Sequence, residues 1–270
     1  MKVNVPSSSK IRKRILEMAF FGQSVHVPSA FSIVEILRVL YDKHLSYPEN
    51  NPRHPLRDFL VLSKGHGVMA LYPFLEARGW IPGSALDSYF SDASLLPGLC
   101  EAVIPGCEAN TGSLGQGLPV AVGLAKSSRI LETGQKVFCV IGDGEINEGS
   151  VWEALMYAGH HRLSNLTVIV DQNRFQAMGQ TSEVLSIRNL ETALASFGFT
   201  VKHVDGHSER ALDDALTPTI DNAAAPPLAI IANTTKGKGV QFMEDNNSWH
   251  YKRLDRDAFD RASLQVGQPN

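Results

Sequence analysis

Five short runs of the chain are apolar almost without interruption: DFLVLS, KVFCVIGD, NLTVIVD, FTVKHVD and PLAIIANT. A strand with one wet face alternates apolar and polar residues. Continuous Val/Ile/Leu runs instead mark strands covered on both faces, as in a parallel sheet. Between the runs, apolar residues recur at helical spacing over Leu114–Leu131, Gly149–Arg162, Asn189–Phe197 and Ser208–Leu216. Two more helices are predicted near the start. One is capped by Ser7 to Ser9 and runs to Phe21, with Ile11, Ile15, Met18 and Ala19 on one face. The other has Pro28 in its first turn and a stripe of Ile33, Ile36, Leu37 and Leu40. This alternation predicts an α/β fold with an open, mostly parallel sheet and helices on both faces. Neither a repeat nor a low-complexity linker divides the chain, so residues 1–270 read as a single domain with a polar tail from about 252 to 270.

Composition narrows the function classes. The 43% hydrophobic and 20% charged content is that of an ordinary soluble globular protein, and 270 residues suffice for one large core. A net charge of −3 leaves no basic footprint, so nucleic-acid binding is disfavoured. No apolar run reaches the ~18–20 residues of a membrane helix, and MKVNVPSSSK lacks a signal-peptide core. The three cysteines, Cys100, Cys107 and Cys139, lack metal-ligand spacing, so a reduced, cytoplasmic protein is expected.

In open α/β sheets, ligands bind beyond the carboxyl ends of the strands. Four motifs fall there: LSKGHG with His66, TGSLGQGL from Thr111 to Leu118, GDGE with Asp143, and DQNRF with Asn173. If the strands before Asp143 and Asn173 are neighbours, a carboxylate and an amide oxygen meet at one sheet edge. Such hard oxygens, with a nearby backbone carbonyl, suit Mg²⁺ or Ca²⁺ and leave positions for phosphate oxygens. Gly142 and Gly144 would let backbone N–H groups approach a diphosphate at the following helix start. Taken singly, each motif is ordinary: a turn, a capping histidine, or a glycine-rich helix start that is no P-loop. The ordered set carries the argument. His160 and His161 read as an exposed pair without a role.

At this point the chain resembles a known family. The stretch GDGEINEGSVWEALMYAGHHRLSNLTVIVDQNRFQAMGQT resembles the transketolase form of the thiamine-diphosphate fingerprint. LSKGH, TGSLGQGL and TTKGKGV…WH also look like transketolase segments, in the family's order, over about residues 8 to 252. The likeness covers only the N-terminal, diphosphate-binding half of the full-length enzyme, as in the first chain of a split transketolase. It implies thiamine diphosphate with Mg²⁺ (or Ca²⁺) held by Asp143, Asn173 and the carbonyl of Phe175. It implies Gly144 and His66 at the diphosphate, and Gly112 and Leu114 near the aminopyrimidine. His26 and His250 match histidines that hydrogen-bond substrate and move protons at the reacting carbons, and Glu148 matches a subunit-interface glutamate. Glu145 is left without a role. The family's activating glutamate sits in a pyrimidine-binding domain. A C-terminal transketolase-like partner chain is therefore implied, in an α2β2 assembly, with small-molecule donor and acceptor.

The chain also departs from the family's pattern. LPGLCEAV places Leu99 where the family has a histidine, and Cys100 where it has a proline. His26 is flanked by changed positions in SVHVPSA, and Tyr251 replaces the glycine after the late histidine. An apolar residue in place of a donor/acceptor weakens recognition of substrate hydroxyls. A less hydroxylated donor, or an α-keto acid that loses CO2 in specialised metabolism, is one alternative. The other is a non-catalytic scaffold, against which the intact metal-ligand set argues.

Overall fold

The computed structural model describes residues 4–217 and 225–267. Five strands, β1 (Phe59–Leu62), β2 (Val137–Gly142), β3 (Leu166–Gln172), β4 (Thr200–Asp205) and β5 (Leu228–Asn233), form one sheet. Their spatial order is β1-β2-β3-β5-β4, and every pairing is parallel. The five apolar runs are these five strands. Alternate residues of each central strand feed two separate cores, which is why the runs lack a polar face. Leu60, Leu62, Phe138, Val140, Ile169 and Ile230 face one side, packed with the N-terminal helices. Val61, Cys139, Ile141, Val168, Val170 and Ile231 face the other, beneath helices Gly117–Ile130 and Gly149–His160. β4 departs from the expectation of two covered faces: it is the edge strand, and Thr200, His203 and Asp205 are solvent-accessible.

Helix starts follow local chemistry. Ser7 accepts from the Lys10 N–H and opens helix Ser8–Phe21, whose Ile11, Ile15, Met18 and Ala19 are buried. Asn189 and Ser208 cap helices Leu190–Ser196 and Glu209–Leu216 in the same way. The stripe after Pro28 is broken into two short helices, Val27–Phe31 and Val34–Val39, the second running into a wide turn at Leu40–His44.

Two boundaries differ from expectation. The long helix begins at Gly117 rather than Leu114, because Gly115 adopts φ +80°. A Cβ at Gly115 would lie 2.6 Å from Ser150 Oγ, so a left-handed glycine is required there. The polar tail is ordered: Asp255 caps helix Arg256–Val266, which buries Ala258, Ala262 and Val266. Phe259 stacks on Phe20 of the first helix at 4.5 Å. Its polar face concealed an amphipathic helix, and the last three residues of the expected tail lie outside the described residues.

Candidate functional site

The carboxyl ends of β1, β2, β3 and β5 converge on one sheet edge, and each supplies a charged or polar side chain. β2 and β3 are neighbours, with Gly142 opposite Asp171, so Asp143 and Asn173 leave adjacent strands. The Asp143 carboxylate accepts from Arg174 N–H at 2.6 Å and from Gly144 N–H at 2.8 Å. It is buried, and burial together with the nearby Asp171 charge pushes its pKa up to about 7. Asn173 donates its Nδ2 to Asp171 Oδ2 at 2.8 Å, which fixes the amide so that Oδ1 faces the turn, where it accepts from Phe175 N–H at 3.0 Å.

Asp171 anchors the edge. It is fully buried and accepts from Lys64 Nζ, Thr234 Oγ1 and, at 2.8 Å, Ser32 Oγ. Burial alone would raise its carboxyl, yet the Lys64 ammonium and these hydrogen bonds hold it below the usual carboxylate range. Lys64 is itself buried and also reaches Ser29 O at 3.0 Å. A second buried lysine, Lys236, follows β5. Its Nζ lies 2.7 Å from His250 Nδ1 and 2.8 Å from Asn247 Oδ1. Burial, and then Lys64, bring the Lys236 pKa down to about 8.

Three histidines from distant segments meet above these lysines. The His26 ring lies 5.2 Å from His66 and 5.0 Å from His250, and His66 lies 6.0 Å from His250. His26 caps a helix at φ +69°, an uncommon backbone state for a non-glycine residue. Its buried Nδ1 has no hydrogen-bond partner among the described residues. Burial, then the lysine charges, lower His26 to about 4. Burial, then Lys236, lowers His250 to about 3. His66 is pushed down by burial and then by Lys64. All three rings are therefore neutral donors and acceptors near pH 7. Tyr251, exposed, packs its ring 5.1 Å from His26 and 4.5 Å from His250.

The glycine-rich loop forms one wall. Thr111 Oγ1 donates to Leu62 O at 2.7 Å, tying the loop to the end of β1. Gly112 lies against Leu99: a Cβ on Gly112 would sit 2.9 Å from Leu99 Cδ1. Leu99 is 38% exposed, an apolar side chain open at this wall, and Leu114 is half-buried next in the loop. Two sequence expectations are corrected. Glu145 has a clear place: it is buried and accepts from Ser63 Oγ, from Gly115 N–H at 2.9 Å and from Gly142 N–H at 3.1 Å. The Gly142 N–H is thereby occupied, so Gly142 cannot offer that donor to a diphosphate. Glu148 is exposed at the N-cap of helix Gly149–His160.

Sequence reasoning misses Lys64, Asp171 and Lys236 as site residues. Lysines between glycines at strand ends, in SKG and TKGKG, and an aspartate closing the VIV run were the available signals. Among the described residues, no group of three or more His, Cys, Asp or Glu side chains could hold a metal ion. A cation would rely on one carboxylate, one amide and a backbone carbonyl, an all-oxygen set that suits Mg²⁺ or Ca²⁺ with further oxygens from a ligand. The buried Asp143 carboxylate, bonded to backbone N–H groups rather than to a cationic side chain, fits that use. Two buried ammonium groups make the same edge receptive to an anion.

The family described as the transketolase thiamine-diphosphate-binding domain matches residues 8–269. One of the two subunits of apulose-4-phosphate transketolase from Phocaeicola vulgatus is 35% identical, over 97% of this chain and 92% of that protein. A 6-deoxy-6-sulfo-D-fructose transketolase subunit of a Clostridium species is 37% identical, over 95% of this chain and 93% of that protein. Among solved structures, transketolase of Campylobacter jejuni superposes with a TM-score of 0.86 at 31% identity, covering 96% of this chain and 42% of that one.

Proposed function

The chain belongs to the transketolase family through its thiamine-diphosphate-binding domain, and from that premise we propose how its residues work. It is the diphosphate-binding subunit of a two-chain, transketolase-like transferase, the length and coverage of its subunit relatives matching its own. The proposal is that it transfers a two-carbon unit, ketol or acyl, and turns over only with a pyrimidine-binding partner chain. Asp143, Asn173 and the Phe175 carbonyl hold Mg²⁺ (or Ca²⁺), and Gly144 and His66 face the diphosphate. Gly112 and Leu114 line the other end of the cofactor. The bound cofactor supplies the carbon nucleophile. The chain's own residues orient it: Lys64 and Lys236 place positive charge at the edge, and neutral His26 and His250 offer hydrogen bonds to substrate oxygens.

The observation that carries this reading is the buried Asp143 carboxylate beside Asn173 on adjacent strand ends, bonded only through backbone N–H groups and with its pKa raised to about 7. The test titrates the reconstituted pair of chains with thiamine diphosphate and Mg²⁺, beside an Asp143→Ala variant. Metal-dependent binding and turnover that disappear in the variant support the assignment. A variant that binds and turns over like the parent overturns it.

The open Leu99 side chain at the wall favours a second reading of the donor, an acyl group from an α-keto acid that loses CO2. Two relatives are named for sugar derivatives, which favours a ketose. Comparing pyruvate with ketose phosphates decides between them. A non-catalytic scaffold would need none of the buried charges. No helix among the described residues is long and apolar enough to cross a membrane, and Cys100, Cys107 and Cys139 are free thiols. A reducing, cytoplasmic setting is proposed on that chemistry.

A further inference from the structure

Lys236 and His250 are held in fixed register after β5. Lys236 is 1% exposed, and its Nζ has two polar neighbours, His250 Nδ1 at 2.7 Å and Asn247 Oδ1 at 2.8 Å. Asn247 is itself oriented, because its Nδ2 donates to Ala177 O at 3.1 Å and leaves Oδ1 for the ammonium. The His250 backbone is fixed too, its carbonyl accepting from His26 N–H at 3.2 Å. An ammonium group has three donors and no acceptor. Nδ1 must therefore offer its lone pair, and in a neutral ring the single proton sits on Nε2. The ring is neutral because burial, followed by the charges of Lys236, His26 and Lys64, lowers its pKa to about 3. Nε2 has no hydrogen-bond partner among the described residues, while the ring edge packs on His26 and Tyr251 at the candidate site.

We propose that Lys236 is a positioning residue that locks His250 in its Nε2–H form, so that His250 serves the reaction as a hydrogen-bond donor to a substrate or cofactor oxygen. The proposal deepens the function given above and rests on it only for what Nε2 faces; the tautomer follows from the lysine contact alone. A histidine held this way cannot take up a proton at Nδ1, and its Nε2 lone pair is already protonated. It stabilises an oxygen that gains negative charge and does not abstract a proton from carbon.

The experiment has two arms. In the first, the full chain is labelled with ¹⁵N, and the histidine ring nitrogens are assigned by long-range proton–nitrogen correlation in wild type, Lys236→Met and Lys236→Arg. Wild type and Lys236→Arg are expected to show a protonated Nε2 and a bare Nδ1 at His250, and Lys236→Met a mixed or reversed pattern. His207 is the internal reference, since its Nε2 accepts from Thr235 N–H at 2.8 Å and its Nδ1 faces Glu35 at 2.9 Å. It should keep a protonated Nδ1 in any folded variant. A protonated Nδ1 at His250 in wild type overturns the proposal whatever the variants do, as does an unchanged tautomer in a folded Lys236→Met.

In the second arm, the chain reconstituted with its partner is assayed for turnover. Lys236→Met is expected to lose kcat by about tenfold with KM within about twofold, and Lys236→Arg to restore most of it. A correct tautomer with unchanged kcat overturns the donor role of His250. Absence of turnover in the wild-type pair counts against the two-chain function instead, and leaves the tautomer result standing.

Discussion

Asp143 and Glu145 stand two positions apart at the end of β2 and are used in opposite ways. Glu145 is satisfied inside the chain, by Ser63, Gly115 and Gly142, and so fastens the glycine-rich loop to the strand end. Asp143 is buried beside another carboxylate with only two backbone donors, and its pKa rises to about 7. Removing the Asp143 charge should therefore abolish Mg²⁺-dependent cofactor binding without lowering the Tm of the cofactor-free chain, because an uncompensated buried charge is lost. Scanning calorimetry with and without Mg²⁺ and thiamine diphosphate checks both halves on Asp143→Asn. Glu145→Ala should do the reverse, lowering the Tm of the cofactor-free chain by stranding three buried donors. At the wall, Leu99→His restores a donor/acceptor opposite Gly112. It is expected to raise kcat/KM for hydroxylated ketose donors by about tenfold relative to the least hydroxylated donor tested. An unchanged ratio would place Leu99 outside the donor subsite.

Between elements, buried charge is paired, and the pairing gives a pH dependence with a definite sign. Arg12 of helix Ser8–Phe21 meets Glu35 of helix Val34–Val39 in two bonds of 2.6 and 2.8 Å, and His207 after β4 adds a third at 2.9 Å. Burial would raise the Glu35 carboxyl, but His207 and Arg12 hold it down to about 2. A carboxylate with a lowered folded pKa adds stability above its ordinary value of 4.5, and that stability is lost as pH falls towards 2. Glu35→Gln should thus cost about 3 kcal/mol near neutral pH and almost nothing near pH 2, as read by urea unfolding across that range. The helices and strands joined by such contacts were legible in the sequence wherever the cause was local: the caps at Ser7, Asn189 and Ser208, and the continuous apolar strands. Asp143 and Asn173 were legible as a pair because parallel neighbours bring successive strand ends together. Less local causes were hidden. The delayed start at Gly117 depends on Ser150 and Glu148 crowding Gly115 from another helix. Lys64 reads as a solvated residue until Asp171, 107 positions away, is seen beside it, and Lys236 until His250, 14 positions on, is seen at its ammonium.

At the scale of the whole molecule, two surfaces are more apolar than a solitary chain requires. Around the candidate site, Phe90, Leu95, Leu99 and Val103 lie exposed on the stretch that carries Leu99, and Met178, Val184 and Leu185 on the stretch after Phe175. On the opposite core's helices, a groove of about 520 Å³ runs between Gly117–Ile130 and Gly149–His160, lined by Val122, Ile130, Leu131 and Tyr157. Lys126 and Glu153 line the same groove with opposite charge, an arrangement that a two-fold copy could cross-pair. An α2β2 assembly needs two such faces, one for the pyrimidine-binding chain and one for a second copy of this chain. The two are separable by mutation. Tyr157→Arg combined with Ile130→Asp should reduce self-association of the isolated chain while leaving its Tm within a few degrees, because both side chains are largely exposed. Met178→Asp combined with Leu95→Asp should leave self-association intact and weaken capture of the partner chain by about tenfold or more. Sedimentation velocity of the chain alone, and of the mixture with its partner, reads both outcomes in one series. If the first pair of substitutions blocks partner capture and the second blocks self-association, the two surfaces have been assigned the wrong way round.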